Sequence, residues 1–199
     1  MRIVLATHNA GKQREWQQLL AGLDIDLLLP AEVGIVAGVE ETGDSYAANA
    51  LLKARALSAA SGLPALADDS GLEVDALEGA PGLHSARYTL GSDQVRYRAL
   101  LRALEGVPAE RRSARFRCVA ALVLPSGEES IVEGVCEGMI AAEARGEGGF
   151  GYDPVFTVNE YGCSMAELPA EVKNRISHRA RAAEALKPAL RRLLDAQPA

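Results

Sequence analysis

The chain has 199 residues, 48% of them hydrophobic, which is enough for one sizeable core that needs neither a disulfide nor a metal to fold. Its 21 basic and 27 acidic residues leave a net charge of −6, which excludes a broad nucleic-acid-binding surface and confines any basic site to a local cluster. Cys118, Cys136 and Cys163 are odd in number and far apart, which argues against a disulfide framework and against a Cys-x-x-Cys zinc site; they are expected to be reduced and buried.

Arg2 to Ala6 (RIVLA) is a short apolar run of the kind that forms a buried strand. It is too short for a signal peptide's apolar core or a membrane span, and the chain is read as soluble and cytoplasmic, with no membrane partner. After THNAGK the pattern becomes helical, with Trp16, Leu19, Leu20 and Leu23 on one stripe. A second helix is predicted from about residue 45 to 61, capped by Asp44 and ended by Gly62, with Ala47, Ala50, Leu51, Ala54 and Leu57 inward and with Asn49 and Lys53 sharing another face. Leu63 to Asp75 reads as two extended segments meeting at Ser70-Gly71, and EGAPG (78 to 82) as a loop. Ser92 is the expected cap of a third helix that ends near Gly106. Arg115 to Leu124 and Glu129 to Ile140 look like a strand pair joined by PSGE, followed by the Gly-rich stretch ARGEGGFGYDP (144 to 154). The tail from Ser177 is helical, and Pro188 is expected to kink or split it. With no repeat and no long linker, residues 1–199 are read as a single domain of α/β or α+β type with a mixed sheet.

ATHNAGK (Ala6 to Lys12) places small and polar residues and a lysine where a strand hands over to a helix. The first amides of a helix are unpaired and its dipole is positive there, so a phosphate binds favourably. It is not a Walker A loop, because the first glycine is missing and Gln13 follows Lys12. Taken alone, the stretch also fits an ordinary capped helix with an exposed lysine. ADDSG sets Asp68 beside Asp69, and neighbouring like charges repel, so something positive is expected nearby. On a strand, successive side chains point to opposite sides, and only one of the two need face a cleft. Mg²⁺ suits such carboxylates because it takes one or two protein oxygens and completes its shell with water and substrate phosphates. Glu40 or Glu41 of VEETGD could add a ligand; a solvated acidic turn fits the same residues.

In EGGFGYDP (147 to 154) glycines permit close backbone approach, and Phe150 or Tyr152 could stack on a base; a mobile surface loop has the same composition. In VKNRISHRARAAEAL, Ser177 is a natural N-cap, which puts His178 and Arg179 in a first helical turn, where a cation opposes the dipole by about 0.3–1 kcal/mol. A bound anion would reverse that penalty, with Arg179 and Lys173 as its clamp; the alternative is a solvated arginine. His8 and His84 have no acid–base partner readable from sequence. Together these segments supply phosphate cradles, the separate lysines Lys12 and Lys53, a carboxylate cluster and a base-stacking loop, which describes a nucleotide and its metal.

With THNAGK, EETGDSYAANALLKA, ADDSGL, GAPG, SARY, FGYDPVF and SHRARA on the page, the chain from Arg2 to about Leu186 strongly resembles the inosine/xanthosine triphosphate pyrophosphatase family. The resemblance implies a two-lobed α/β fold around a long central mixed sheet flanked by helices, an interlobe substrate cleft, a homodimer and a requirement for Mg²⁺. On matching positions it implies that Thr7, His8, Asn9, Ala10, Gly11 and Lys12 contact the triphosphate and that Asp69 is the catalytic acid and metal-site residue, with Ser70 at the substrate. Asp68, Lys53 and one of Glu40 or Glu41 resemble the supporting charged positions. Phe150, Gly151, Tyr152, Asp153, Lys173, His178 and Arg179 resemble the segments that hold nucleobase and sugar. The implied reaction is attack of water at the α-phosphorus of ITP, dITP or XTP, giving the monophosphate and pyrophosphate. A 6-keto group on the base would accept from a buried donor that an adenine amino group leaves unsatisfied.

Overall fold

The computed structural model describes residues 1–36 and 38–196. Seven strands, β1 (Arg2–Leu5), β2 (Asp26–Leu28), β3 (Ala65–Val74), β4 (Ser113–Val123), β5 (Glu129–Ile140), β6 (Phe156–Val158) and β7 (Cys163–Ser164), hydrogen-bond in the order β2-β1-β3-β4-β5-β6-β7. Among the described residues five α-helices accompany them: α1 (Ala10–Leu20), α2 (Tyr46–Ser61), α3 (Asp93–Ala103), α4 (Ala170–Ile176) and α5 (His178–Asp195). The sheet is mixed, as expected. β1 runs parallel to both β2 and β3, which requires the helical crossovers supplied by α1 and α2, while β6 is antiparallel to β5 and β7.

Contacts divide the chain into two compact units. The first comprises Met1–Asp69, Cys118–Gly134 and the residues from Arg179 onward; the second comprises Ser70–Arg117 and Val135–His178. In the first unit both faces of the sheet are covered, which is why β1 and the start of β3 read as uninterrupted apolar runs. Ile3, Leu5, Leu66, Cys118, Ala120 and Leu122 pack with Trp16 and Leu20 of α1 and with Ala182, Ala183, Leu186 and Leu190 of α5. The intervening residues Val4, Ala65, Ala67, Ala121 and Val123 pack on the other side against Ala50, Ala54 and Leu57 of α2. At the start of β3 the even-numbered Leu66 therefore looks toward α1 and α5, and the odd-numbered Ala65 and Ala67 toward α2. This parity decides where the two aspartates go.

The second unit is built on Leu72, Val74, Phe116, Cys136 and Ile140 with Leu100 and Leu104 of α3, and with Tyr152, Val155, Phe156, Val158 and Met165. Gly138 of β5 faces Val158 of β6, and a Cβ there would lie 2.4 Å from the Thr157 carbonyl oxygen and 2.5 Å from the Phe156 ring.

Several local expectations are corrected. The cap of α2 is Ser45, whose extended backbone lets its hydroxyl accept from the Ala48 amide at 3.2 Å, and not Asp44; Gly62 ends the helix in the left-handed region, as expected. Leu63 to Asp75 is not two segments meeting at Ser70-Gly71: one ten-residue strand passes straight through. Leu23 falls beyond the end of α1, α3 ends at Ala103, and Cys163 is only half-buried while Cys118 and Cys136 are buried; all three cysteines are free thiols. α5 is not split by Pro188. Pro188 and Glu184 both lie on its exposed side, so the Glu184 carbonyl that loses its amide partner is open to water. Replacing Gly138 by alanine is expected to cost about 1–3 kcal/mol in denaturant unfolding through overpacking between β5 and β6.

Candidate active site

Asp68, on the even side of β3, is completely buried among cations and donors. Trp16 Nε1 donates to its Oδ1 at 3.0 Å. Its Oδ2 receives Arg179 Nη2 at 3.0 Å and Nε at 3.3 Å, and lies 3.0 Å from Lys12 Nζ and 3.7 Å from Cys118 Sγ. The far side of the Arg179 guanidinium donates to Glu15 of α1. The Asp68 carbonyl oxygen in turn accepts from Lys53 Nζ at 2.7 Å and from Lys12 Nζ at 3.4 Å. Burial pushes the Asp68 carboxyl upward, but Lys12, Arg179 and Lys53, with the Arg179 hydrogen bond, outweigh it and hold the group well below the usual carboxylate range. Burial pulls the Arg179 guanidinium downward, and Asp68 and Glu15 more than offset that, so its proton affinity is raised. Burial and the Asp68 charge raise the Cys118 thiol, so it stays protonated beside Asp68.

Asp69, one residue on, emerges on the α2 side. Asn49 Nδ2 donates to its Oδ2 at 2.9 Å, and the Asn49 carbonyl end is fixed by the Gly43 amide at 2.8 Å. Lys53 Nζ, four residues along α2 from Asn49, pairs with Glu41 Oε1 at 2.5 Å. The Asp69 carboxyl is raised, first by burial and further by the like charge of Glu41, against the opposing pull of Lys53, Asn49 and Lys12. The adjacent carboxylates thus differ in kind: Asp68 is locked as an anion, while Asp69 is poised to take a proton.

The structure brings Glu41 to this group, whereas Glu40 is exposed. Among the described residues no three His, Cys, Asp or Glu side chains converge as a metal cage. Asp69 with Glu41 still fits a hard cation such as Mg²⁺, which takes one or two carboxylates and leaves its other positions to water and phosphate. Charge counting favours the same fit, because the three cations Lys12, Lys53 and Arg179 face the four carboxylates of Glu15, Glu41, Asp68 and Asp69.

The loop before α1 is organised by its own side chains. Asn9 is the N-cap and accepts from the Lys12 amide at 3.0 Å, Thr7 Oγ1 accepts from the Asn9 amide at 3.2 Å, and Gln13 Nε2 holds the Thr7 carbonyl at 3.1 Å. Ala10 and Gly11 form the first turn, whose amides have no intrahelical partner, and His8 is exposed.

In the second unit, Asp153 Oδ2 accepts from the Phe150 amide at 2.8 Å and from Lys173 Nζ, and that ammonium lies 5.0 Å from the centre of the half-exposed Phe150 ring. The Gly151 amide donates to Asp93 Oδ2 at 2.7 Å. Tyr152 is buried, and its hydroxyl donates to the Ser85 carbonyl oxygen at 2.9 Å, while Ser85 Oγ accepts from the Leu72 amide; Tyr152 is therefore a strut in the wall and Phe150 the accessible ring. His178 is buried and stacked on Phe116, with ring centres 4.8 Å apart at 16°. Ser70 follows Asp69 on β3 and is half-buried.

Arg179 differs most from its expected surroundings: the anions that answer it are Asp68 and Glu15. Glu15, Trp16 and Cys118 have no place in the motif reading, although Trp16 follows Lys12 by four residues, the spacing that puts two side chains on one helix face.

A lysine at an open helix N-terminus, a second lysine on the same buried aspartate and a pair of adjacent carboxylates in unlike environments on one strand define an α/β protein that handles a polyanion. The chain belongs to the Ham1 family, whose model matches residues 3–189. It is 55% identical over 184 residues to a dITP/XTP pyrophosphatase of Symbiobacterium thermophilum, covering 91% of this chain and 90% of that one. It is 52% identical over 196 residues to a dITP/XTP pyrophosphatase of Methylococcus capsulatus, covering 96% and 97%. The solved structure of a HAM1 protein from Coxiella burnetii superposes with a TM-score of 0.87 at 44% identity, over 96% of this chain and 99% of that one.

Because Asp68 is fully buried and ion-paired with both Arg179 and Lys12, its neutralisation and that of Asp69 are expected to differ. Asp68→Asn strands Arg179 and Lys12 and should lower unfolding free energy by about 3 kcal/mol or more. Asp69→Asn, at a carboxyl whose charged form burial already disfavours, should cost less than about 1 kcal/mol in the same denaturation experiment.

Proposed function

We propose that this chain is a nucleoside triphosphate pyrophosphatase that hydrolyses the triphosphates of deaminated purines, ITP, dITP and XTP, to the monophosphate and pyrophosphate, and so cleanses the nucleotide pool. Membership of the Ham1 family and about 50% identity to dITP/XTP pyrophosphatases over most of the chain support the substrate class. The observation that carries the chemistry is the division of labour on β3, where Asp68 anchors Lys12 and Lys53 while Asp69 stands beside Asn49 and Glu41 with its proton affinity raised.

In this reading Thr7 to Lys12 receive the triphosphate, the amides of Ala10 and Gly11 and the ammonium of Lys12 meeting its oxygens. Asp69 orients the attacking water and accepts its proton as the oxygen closes on the α-phosphorus. Lys12 and Lys53, their ammonium groups aimed by Asp68, stabilise the charge that builds on the departing pyrophosphate. Mg²⁺, held by Asp69 with Glu41, would neutralise phosphate charge and acidify a bound water. Ser70 is assigned to the substrate by the family resemblance. By the family resemblance, Phe150 to Asp153, Lys173 and His178 are assigned to the purine, the half-exposed Phe150 ring offering a stacking face and His178 a ring donor for a 6-keto oxygen. Arg179, sealed against Asp68 and Glu15, supports the carboxylate rather than the base. The family resemblance also supports a homodimer. Three free thiols favour a reducing, cytoplasmic setting, and among the described residues no helix is long and apolar enough to cross a membrane.

A panel of ITP, dITP, XTP, dTTP and UTP with Mg²⁺, assayed separately for pyrophosphate and orthophosphate, should give pyrophosphate from the first three; orthophosphate, or a preference for the pyrimidines, contradicts the proposal. Asp69→Asn should lower kcat by about 10²–10⁴-fold while the protein stays folded, the range for losing a positioned base. Chelation should stop turnover reversibly, and hydrolysis that persists in excess chelator would remove Mg²⁺ from the account.

A further inference from the structure

Trp16 is the chain's one tryptophan, and it is fully buried in the core that α1 shares with β1, β3 and β4. Packing explains the size of the ring but not its polar atom. That atom donates to Asp68 Oδ1 at 3.0 Å, and Lys12, one helical turn earlier on α1, meets the other oxygen, Oδ2, at 3.0 Å. Two side chains four residues apart thus grip the two oxygens of one carboxylate. A carboxylate's terminal torsion is soft, and Lys12 and both Arg179 nitrogens meet Oδ2, so without a donor on Oδ1 the plane can turn about that one anchored oxygen. A directional N–H on Oδ1, in a place without exposed surface, fixes that plane, because rotation would leave the indole donor buried and unsatisfied. With Oδ1 fixed, Oδ2 points at the Lys12 ammonium.

We propose that Trp16 is a positioning residue for the hydrolysis: acting through Asp68, it sets the orientation of the lysine that faces the leaving pyrophosphate. The indole is in consequence a built-in reporter of the occupancy of that site. This inference rests on the pyrophosphatase reading, but its tests separate the two.

Trp16→Phe keeps a large aromatic ring and deletes the donor. With far-UV circular dichroism and cooperative unfolding intact, its kcat for ITP should fall on the order of tenfold with KM little changed, as for loss of one hydrogen bond to a charged group expressed in the transition state. In a Lys12→Ala background the same substitution should change kcat by less than about twofold, because both act through one ammonium. Inorganic pyrophosphate with Mg²⁺ should change Trp16 emission in the wild type and leave it unchanged in Lys12→Ala. Wild-type kinetics for Trp16→Phe, or a full tenfold penalty that persists without Lys12, would overturn the proposal and make the ring a packing element. Silent emission during saturable pyrophosphate binding would overturn it too, and this arm decides by itself if Trp16→Phe does not fold. A wild type that cleaves none of the triphosphates contradicts the pyrophosphatase reading; one that cleaves ITP while Trp16→Phe matches it contradicts only the role of Trp16.

Discussion

A carboxylate with no exposed surface is held charged in this protein, and the first unit is arranged around that fact. Moving an isolated carboxylate out of water costs several kcal/mol even after relaxation, so Asp68 is tolerated only because donors from distant segments meet both of its oxygens. Those donors come from α1, from α5 and, through the Asp68 carbonyl, from α2. The group that is expensive to bury therefore specifies how three helices sit on the sheet. It also leaves two ammonium groups aimed and partly dehydrated at the place where a polyanion can use them. On the proposed reading stability and binding share one network, and exchanging Asp68 for a neutral residue would cost both.

Strand geometry does the rest. Because side chains alternate across a sheet, two consecutive aspartates are delivered into two environments at no extra cost to the backbone. Toward α1 and α5, Asp68 meets Lys12, Trp16 and Arg179. Toward α2, Asp69 meets Asn49 and the like charge of Glu41. The adjacent acids whose repulsion is puzzling in the sequence are separated by the pleat, and their proton affinities are shifted in opposite directions, which is what the proposed anchor and base would require. A divalent cation beside Asp69 and Glu41 would then balance the one excess negative charge of the group and bring in the phosphates that both lysines attract.

Much of this was legible in the sequence wherever the signal is local. The apolar run of β1, the stripe from Trp16 to Leu20, the Asn49/Lys53 face of α2 and the glycine that ends it all follow from the spacing of neighbours, and they are present. Lys12, Lys53, Asp68 and Asp69, which the motif resemblance groups, lie close together in the structure. Other features depend on partners far away along the chain. Arg179 carries the same letters whether its anion is a ligand or Glu15, 164 residues distant, and only the packed core decides between them. Trp16 shows the same limit from the other side, since an indole in an apolar stripe does not reveal that its N–H has found an acceptor. The single long β3 was hidden by Ser70 and Gly71, which mimic a turn where the chain runs on as a strand. The choice of Ser45 over Asp44 as cap turns on one backbone conformation that either residue could have adopted.

A crystal structure with a non-hydrolysable ITP analogue and Mg²⁺ would test the central claim most directly. The account predicts phosphate oxygens on Lys12 and on the first amides of α1, with the α-phosphorus beside Asp69 and with Asp68 still enclosed by Trp16 and Arg179. A triphosphate bound away from Lys12 and Asp69, or an Asp68 that leaves Arg179 to contact the metal, would contradict it.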